Sequence, residues 1–522
     1  MTAINQDRDK AITLVAMSFV IFMTNTNDTS LNVALLQIQT SFGSSVSGLQ
    51  WIINAYILPA ASLVLTSGTF GDIYGRKQVF LTGVLIFTIA SIVCGFAPNV
   101  SILIAGRIFQ GVGAAALMPT SLSILTHTFP EPKQRTKAIA IWSAVSGLAI
   151  IVGPVLGGLL VDIFGWQSIF FMNVPLGIIA FAITSGSVQE TRNLKKQSID
   201  LPGLLLSIVF LVSLTNALTE ANTGLWRSPL IVWLLAIAGF SFVAFLVVEL
   251  YSNHPILPLK LFKNPTFTVV NIAQIIVFFT FTGLLFVFSL FLQQVQGYST
   301  VETGVRFLPL NICFVIALLA SGWFATKLGW RFTIAAGMIV AGVITLSFLR
   351  VNANTEYASV LWMLMISGFG GGLTLAPITA AAMSSVSSDQ TGIASAVLTT
   401  SNRFGGVLGI ALQGTILKQW LASDLTRSLS TWNLPSHLQN QLIAEVLQNG
   451  AKVPINLPAN IAPLALRQAI NSAFVSGLHA VVLVASTALL VGALLIVVFV
   501  RSNFKQVNKN SPVSISNRTN YE

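Results

Sequence analysis

Asn25, Asp28, Thr29 and Asn32 recur at spacings of three and four residues, which lines them up on one face of a helix. The surrounding run is apolar, and an Asp at the centre of a membrane-spanning helix costs about 2.5–3.5 kcal/mol on insertion scales. A carboxyl that faces a polar interior and takes up a proton relieves that cost. Burial favours the neutral acid, while a neighbouring cation favours the ion. Asp28, the one acidic residue deep in any apolar run, is therefore the proton-binding candidate; the alternative is a fixed carboxylate in a permanent ion pair. Arg107 shares a helical face with Gln110 and is expected either to pair with Asp28 as the proton leaves or to serve as a static tie. Arg403 follows Thr399-Thr400-Ser401-Asn402, where it would contact a solute or tie helices together. Asn25, Asn32, Asn54, Gln110, Asn271, Gln274, Phe278, Asn402 and Arg403 are the candidates for lining a polar cavity. Phe278 and its neighbours would face lipid or form an aromatic pocket for flat apolar cations.

Two further motifs pair charge or glycine with a turn or a bend. Gly68, Asp72, Gly75, Arg76 and Lys77 set one carboxylate and two cations beside a glycine turn, enough for a charge latch between two helices. Gly147, Gly153, Gly157 and Gly158 allow close helix approach, and Pro154 bends its helix and frees the carbonyl of Ile150. Cys94 and Cys313 lie far apart inside apolar runs and the four His are scattered, so no metal site and no catalytic cluster is expected.

These residues need a scaffold, and composition names it. Of 522 residues 54% are hydrophobic and only 8% are charged, too few charges to cover a water-soluble protein of this length. A polytopic all-α membrane protein follows, and a soluble enzyme, a disordered chain and a secreted disulfide scaffold are excluded. Apolar runs predict fourteen transmembrane helices, at roughly 11–36, 49–70, 78–96, 100–128, 136–161, 167–186, 201–218, 228–249, 267–292, 305–326, 332–349, 358–384, 393–419 and 476–500. Most of the 27 Lys and Arg, including Arg76, Lys77, Lys133, Arg135, Lys137, Arg192, Lys195, Lys196, Lys260, Lys263, Lys327 and Arg331, fall on one side of this topology. Arg227, Arg306, Arg350 and Lys452 fall on the other. The positive-inside rule then puts both termini in the cytoplasm, and the net charge of +11 is a topology signal rather than a nucleic-acid footprint.

The Gly68–Arg76 run has an echo in Gly322–Arg331, and Gly111, Gly113 and Pro119 have one in Gly370, Gly372 and Pro377. Two six-helix halves, 1–190 and 264–500, would explain both echoes, with 191–263 an inserted helix pair and 501–522 a cytoplasmic tail. The longest loop, 420–475, lies outside, and Ser436-His-Leu-Gln439 within it reads as a capping box that opens a short amphipathic helix.

Taken together, these motifs resemble the major facilitator superfamily. Gly68-x-x-Gly71-Asp72-x-x-Gly75-Arg76-Lys77 is similar to its signature loop, and Arg107-Ile-Phe-Gln110-Gly111 to its helix-4 motif, whose arginine is tied to proton transfer. Gly147 with Gly153-Pro154-Val-Leu-Gly157-Gly158 resembles the helix-5 antiporter motif. Asn27-Asp28-Thr29-Ser-Leu-Asn32 and Trp166–Gly177 resemble motifs of the fourteen-span drug:proton antiporter branch. Ile73 and Thr326 depart from the family pattern, at positions where a basic residue and an aspartate often stand. The resemblance implies a cell-membrane exporter that trades protons for amphipathic, often cationic aromatic compounds by alternating access. It would use Asp28 and Arg107 for coupling and the proton-motive force in place of any cofactor. It would act as a monomer in the lipid bilayer, joined by a periplasmic adaptor where the cell has two membranes. The competing expectation is a proton-coupled transporter dedicated to a single metabolite, lipid or peptide-like solute.

Overall fold

The computed structural model describes residues 3–191, 200–221, 228–252, 255–387, 390–432, 434–449 and 462–500. The expected tail 501–522 and the basic residues Arg192, Lys195, Lys196, Arg227 and Lys452 lie outside the described residues. Among those described, the chain forms sixteen α-helices and no strand. The first seven are α1 (Ala3–Phe42), α2 (Val46–Tyr74), α3 (Arg76–Gly95), α4 (Val100–Thr128), α5 (Pro132–Phe164), α6 (Ser168–Phe171) and α7 (Asn173–Ser187). Next come α8 (Leu201–Glu220) and α9 (Pro229–Tyr251). The last seven are α10 (Pro265–Leu290), α11 (Thr300–Leu328), α12 (Trp330–Ser347), α13 (Tyr357–Ser384), α14 (Thr391–Ser430), α15 (Ser436–Asn449) and α16 (Pro463–Phe499).

Several helices start where their sequence supplies a partner for the free N–H groups of the first turn. Ser45 caps α2, Asn99 caps α4, Asp200 caps α8 and Asn264 caps α10, each by accepting from a backbone N–H. Ser299 and Glu302 form a reciprocal capping box on α11. Gly75 and Gly329, at φ 109° and 81°, each end one helix and begin the next. Both echoed loops thus turn on a residue free of the penalty that positive φ imposes on a side chain.

Among the described residues, twelve stretches are long and apolar enough to cross a membrane, and large apolar side chains such as Phe164, Phe240 and Leu319 point outward from them. Polar groups such as Asn27, Asn54 and Gln110 are buried instead. This inside-out distribution is that of a multi-pass membrane protein. The sequence predicts fourteen crossings. Of the long helices, α1 and α14, 40 residues each, lie outside the twelve and are the most polar.

The stretch 420–475 is shorter as a loop than expected. Helix α14 runs on to Ser430 and α16 begins at Pro463, so both continue beyond their apolar segments. Between them α15 packs on α14 through Leu442 and Val446. Its first turn is not the expected capping box: the Gln439 N–H donates to the Pro435 carbonyl, and the Gln439 amide to Leu434.

Helices α1–α7 pack on one another, as do α10–α16, and the two groups meet where α5 lies along α11 and α2 along α14. Helix α8 lies against both α2 and α14, with α9 on its far side. Small residues set the closest approaches. A Cβ on Gly111 would run into the Tyr56 carbonyl oxygen, whereas one on Gly68 would meet nothing within 4 Å. Gly111→Val is therefore expected to force α4 off α2 and to destabilise the protein by about 1–3 kcal/mol. Gly68→Ala, at an exposed helical position, should instead raise stability by up to about 1 kcal/mol. Thermal unfolding of the detergent-solubilised protein measures both.

Candidate functional site

The site is built where α1, α2, α4 and α14 converge. Asp28, in α1, accepts a hydrogen bond from Arg403 Nη1 of α14 through Oδ2 at 3.0 Å, with the two side chains 26% and 22% exposed. The expected pairing of Asp28 with Arg107 is not formed. Arg107, 1% exposed, is satisfied within the α1–α7 group: Nε donates to the Ile52 carbonyl at 3.1 Å and Nη1 to Gln110 Oε1 at 2.9 Å. Its guanidinium also lies 4.3 Å from the centre of the Tyr56 ring. Gln110 in turn donates to Ser91 at 2.7 Å, so Arg107 closes a small network among α2, α3 and α4. A guanidinium held by two acceptors and a ring face has no need of a carboxylate.

Tyr56 links the two arginines. Its ring lies under Arg107, and it sits within the electrostatic field of Asp28, Arg403 and Arg107 together. Its hydroxyl and Asp28 Oδ1 are both buried and lie within reach of each other. A proton arriving at Asp28 would therefore meet a carboxylate oxygen that Arg403 does not hold.

The other predicted residues divide by what they touch. Asn25 donates to Ser146 Oγ of α5 at 2.7 Å, and Asn32 to the carbonyl of Asp28 at 3.3 Å. Asn271 accepts from Ser401 at 2.9 Å and so ties α10 to α14. Asn54 is fully buried with both amide atoms unpaired, and Gln274 Oε1 is likewise unpaired. Asn402 is partly exposed beside Arg403. Phe278 packs edge-on against Phe281. An apolar cavity nearby, among α10, α11, α13 and α16, is lined by Phe281, Phe288, Phe307 and Phe348 rather than by Phe278.

The glycine helix makes the contact between groups. Gly153 and Gly157 seat α5 on α1, where Ser30 donates to the Gly153 carbonyl at 2.7 Å. Gly147 faces Val315 of α11, Gly158 abuts the backbone of Thr300, and the Pro154 carbonyl abuts Gly304. Pro154 leaves the Ile150 carbonyl without its helical donor, and Asn311 of α11 donates to it at 3.2 Å. Further bonds join the groups: Ser289 to the Asn32 carbonyl, Gln294 to Gln39, Thr300 to Asp162, Gln50 to the carbonyls of Ile410 and Ala411, and Lys418 to Ser47. All lie from the level of Asp28 toward the end of the bundle that carries the turns at Gly43, Gly165 and Gly297. The structure is thus closed at that end.

At the opposite end, Arg76 holds Asp72 at 2.8 Å and also contacts His127 of α4. Lys77 donates to the Ser185 carbonyl at 2.7 Å. Glu190, which sequence reasoning missed, takes the first N–H groups of α3, those of Lys77 and Gln78, at 3.1 and 3.0 Å. Tyr56, Gln50 and Asn311 were missed as well. Each is a single polar group in a span, a signal too common to single out.

Comparison with known proteins agrees with this architecture. The sequence profile of the Major Facilitator Superfamily matches residues 17–410. The chain is 34% identical over 495 residues to the multidrug resistance protein Stp of Mycobacterium tuberculosis, covering 93% of this chain and 91% of that one. It is 33% identical to the methylenomycin A resistance protein of Streptomyces coelicolor, over 78% and 85% of the two chains. It is 30% identical to the tetracenomycin C resistance and export protein of Streptomyces glaucescens, over 92% and 90%. Among solved structures, the fold is similar to a bacterial homologue of the human lysosomal transporter Spinster in an inward-facing, unoccupied conformation. That likeness has a TM-score of 0.67 at 17% identity and covers 95% of this chain and 99% of that one. By its profile, its relatives and its fold, the chain belongs to the Major Facilitator Superfamily.

Proposed function

We propose that this chain is a proton-coupled exporter of amphipathic, often cationic aromatic compounds, working by alternating access with the ion pair of Asp28 and Arg403 as its coupling element. The observation that carries the reading is that the pair joins α1 of one helix group to α14 of the other. The relatives named for drug resistance and export support the substrate class. In this reading α1 and α14 also cross the membrane, which gives fourteen spans in two six-helix halves plus the inserted pair α8–α9. Both termini are cytoplasmic, so the closed end of the bundle faces outward. The chain works as a monomer without a cofactor, and the proton gradient drives it.

The cycle follows from charge. In the structure described, the Asp28 carboxylate is neutralised by Arg403. A cationic substrate entering from the cytoplasmic end competes with Arg403 for that carboxylate and loosens the tie between α1 and α14, so that the outer end can open. From outside, a proton neutralises Asp28 and releases the substrate. On return, Arg403 displaces the proton toward the cytoplasm and the ion pair re-forms. Substrate and proton exchange because each shifts the equilibrium by its differential affinity for the two states. Any net charge carried gains about 2.3 kcal/mol per 100 mV of membrane potential. Arg107 has a different part: it anchors α4 to α2 and positions Tyr56.

Two outcomes are expected. Asp28→Asn should insert and fold, yet lose proton release induced by a fluorescent aromatic monocation such as ethidium in everted vesicles, by at least tenfold. Wild-type proton movement in that variant would overturn the coupling role. Arg107→Lys cannot serve two acceptors and a ring face at once, and should lower stability by about 1–3 kcal/mol. Arg403→Lys keeps one cation for one carboxylate and should melt close to wild type. Equal melting shifts for the two would refute the division between an anchor and a switch.

A further inference from the structure

Away from the coupling pair, α8 and α9 are joined at one end by two carboxyls to which the export reading assigns no part. Asp200 Oδ1 caps α8 by accepting from the Gly203 N–H at 2.8 Å. Glu249, in the last turn of α9, accepts from the Leu257 N–H through Oε2 at 3.0 Å, and the Ile256 N–H also lies beside the carboxylate. Each carboxyl therefore has one oxygen held by backbone. The other two, Asp200 Oδ2 and Glu249 Oε1, are buried and have no partner. Both side chains are more than nine-tenths buried, at 8% and 3% exposure. The free oxygens also converge: a Cβ on Gly203 would stand 3.1 Å from each of them. Two orphaned acceptors thus face one gap that a glycine leaves open.

Two carboxylates sharing a buried site do not both ionise readily, and a proton held between them satisfies both orphans at once. One acid then donates to the other, with a single negative charge spread over the pair. Among the described residues no cation does this instead. Among the described residues the charge that bears on Glu249 is that of Asp200. On α2, Asp72 is bound to Arg76, and on α14 Arg403 and Arg427 are bound to Asp28 and Asp424. Lys418 of α14 lies by Ser47 and Glu220 at the far end of α8, while Lys260 and Lys263 are exposed. No third His, Cys, Asp or Glu completes a metal-binding group among the described residues, and two carboxylates alone fall short of the six oxygens or more that magnesium or calcium takes.

We propose that Asp200 and Glu249 form a second proton-binding site, sharing one proton that locks the start of α8 to the end of α9 and to the connector at Leu257. The opposite end of α8 is held from both helix groups: Ser47 of α2 donates to the Thr219 carbonyl, and Thr415 and Gln419 of α14 donate to those of Leu218 and Ala221. Helix α8 is thus a strut along the seam between α2 and α14, and the shared proton fixes its other end. Loss of that proton places two negative charges in the gap and frees that end.

The test uses the full-length protein in lipid nanodiscs and does not depend on transport, so it stands or falls separately from the export reading. Infrared difference spectra at neutral pH should contain a protonated-carboxyl carbonyl band that is present in wild type and in Asp28→Asn. The band should vanish in Glu249→Gln and in Asp200→Asn, whose amides still accept from the backbone N–H groups and can donate across the gap. Melting temperatures of these two variants should lose the drop that wild type shows on alkaline titration. A band unchanged in both variants overturns the proposal. Stabilisation of wild type by added calcium or magnesium that disappears in Glu249→Gln also overturns it, in favour of a cation site.

Discussion

The organising constraint is that an ion in the membrane interior has no water to lean on, so its partner decides which helices stay together. Asp28 takes its partner from α14, 375 residues away in sequence. Arg107 takes its partners from α2 and α4 nearby. One ionic contact therefore joins the two helix groups, and the other holds one group to itself. Breaking a buried pair by removing one partner costs several kcal/mol because the remaining charge is stranded. Neutralising the same carboxylate with a proton or a substrate cation avoids that cost. A pair between groups can for this reason act as a switch, while a network inside one group can only brace it.

The same constraint governs the backbone. Pro154 removes a donor from its helix, and the Ile150 carbonyl that would have been stranded is taken by Asn311 of the facing group. The last carbonyls of α8 are taken by Ser47, Thr415 and Gln419. The first amides of α3 are taken by Glu190. In each case an unpaired peptide group becomes the reason why two helices meet at a given height. Small residues permit the approach and peptide groups fix its register.

Much of this is legible in the sequence, and the limits are physical. The stripe of Asn25, Asp28 and Asn32 is visible because helical spacing fixes which residues share a face. The partner of Asp28 is not visible, because spacing within one helix carries no information about which distant helix comes to lie opposite. Arg107 and Arg403 are equally plausible on that evidence, and the choice depends on packing alone. The freed Ile150 carbonyl could be foreseen from Pro154, but its acceptance from Asn311 could not. The ends of α14 and α16 were misplaced for another reason: apolarity marks the membrane portion of a helix and is silent where the helix continues as an amphipathic segment, as α14 does to Ser430. Polarity likewise keeps α1 and α14 outside the twelve apolar stretches, although they hold the charged pair at the centre.

Whether one ion pair is strong enough to matter can be judged by magnitude. Moving a two-state equilibrium from 1:99 to 99:1 takes about 5.5 kcal/mol of differential affinity. The neutral ties at the closed end, such as Ser289 to Asn32 and Gln294 to Gln39, contribute about 0.5–1.5 kcal/mol each at most, and water replaces them when the end opens. A unit charge pair about 4 Å apart gains about 4 kcal/mol at an effective dielectric constant of 20. The partial exposure of Asp28 and Arg403 lowers that figure and also gives protons and substrate access to the pair. A fully buried pair would bind more firmly and would be unreachable, whereas a surface pair would be screened to insignificance. Partial burial at the junction of two helix groups lies between these extremes, where a carboxylate can hold the groups together and still be taken from its arginine.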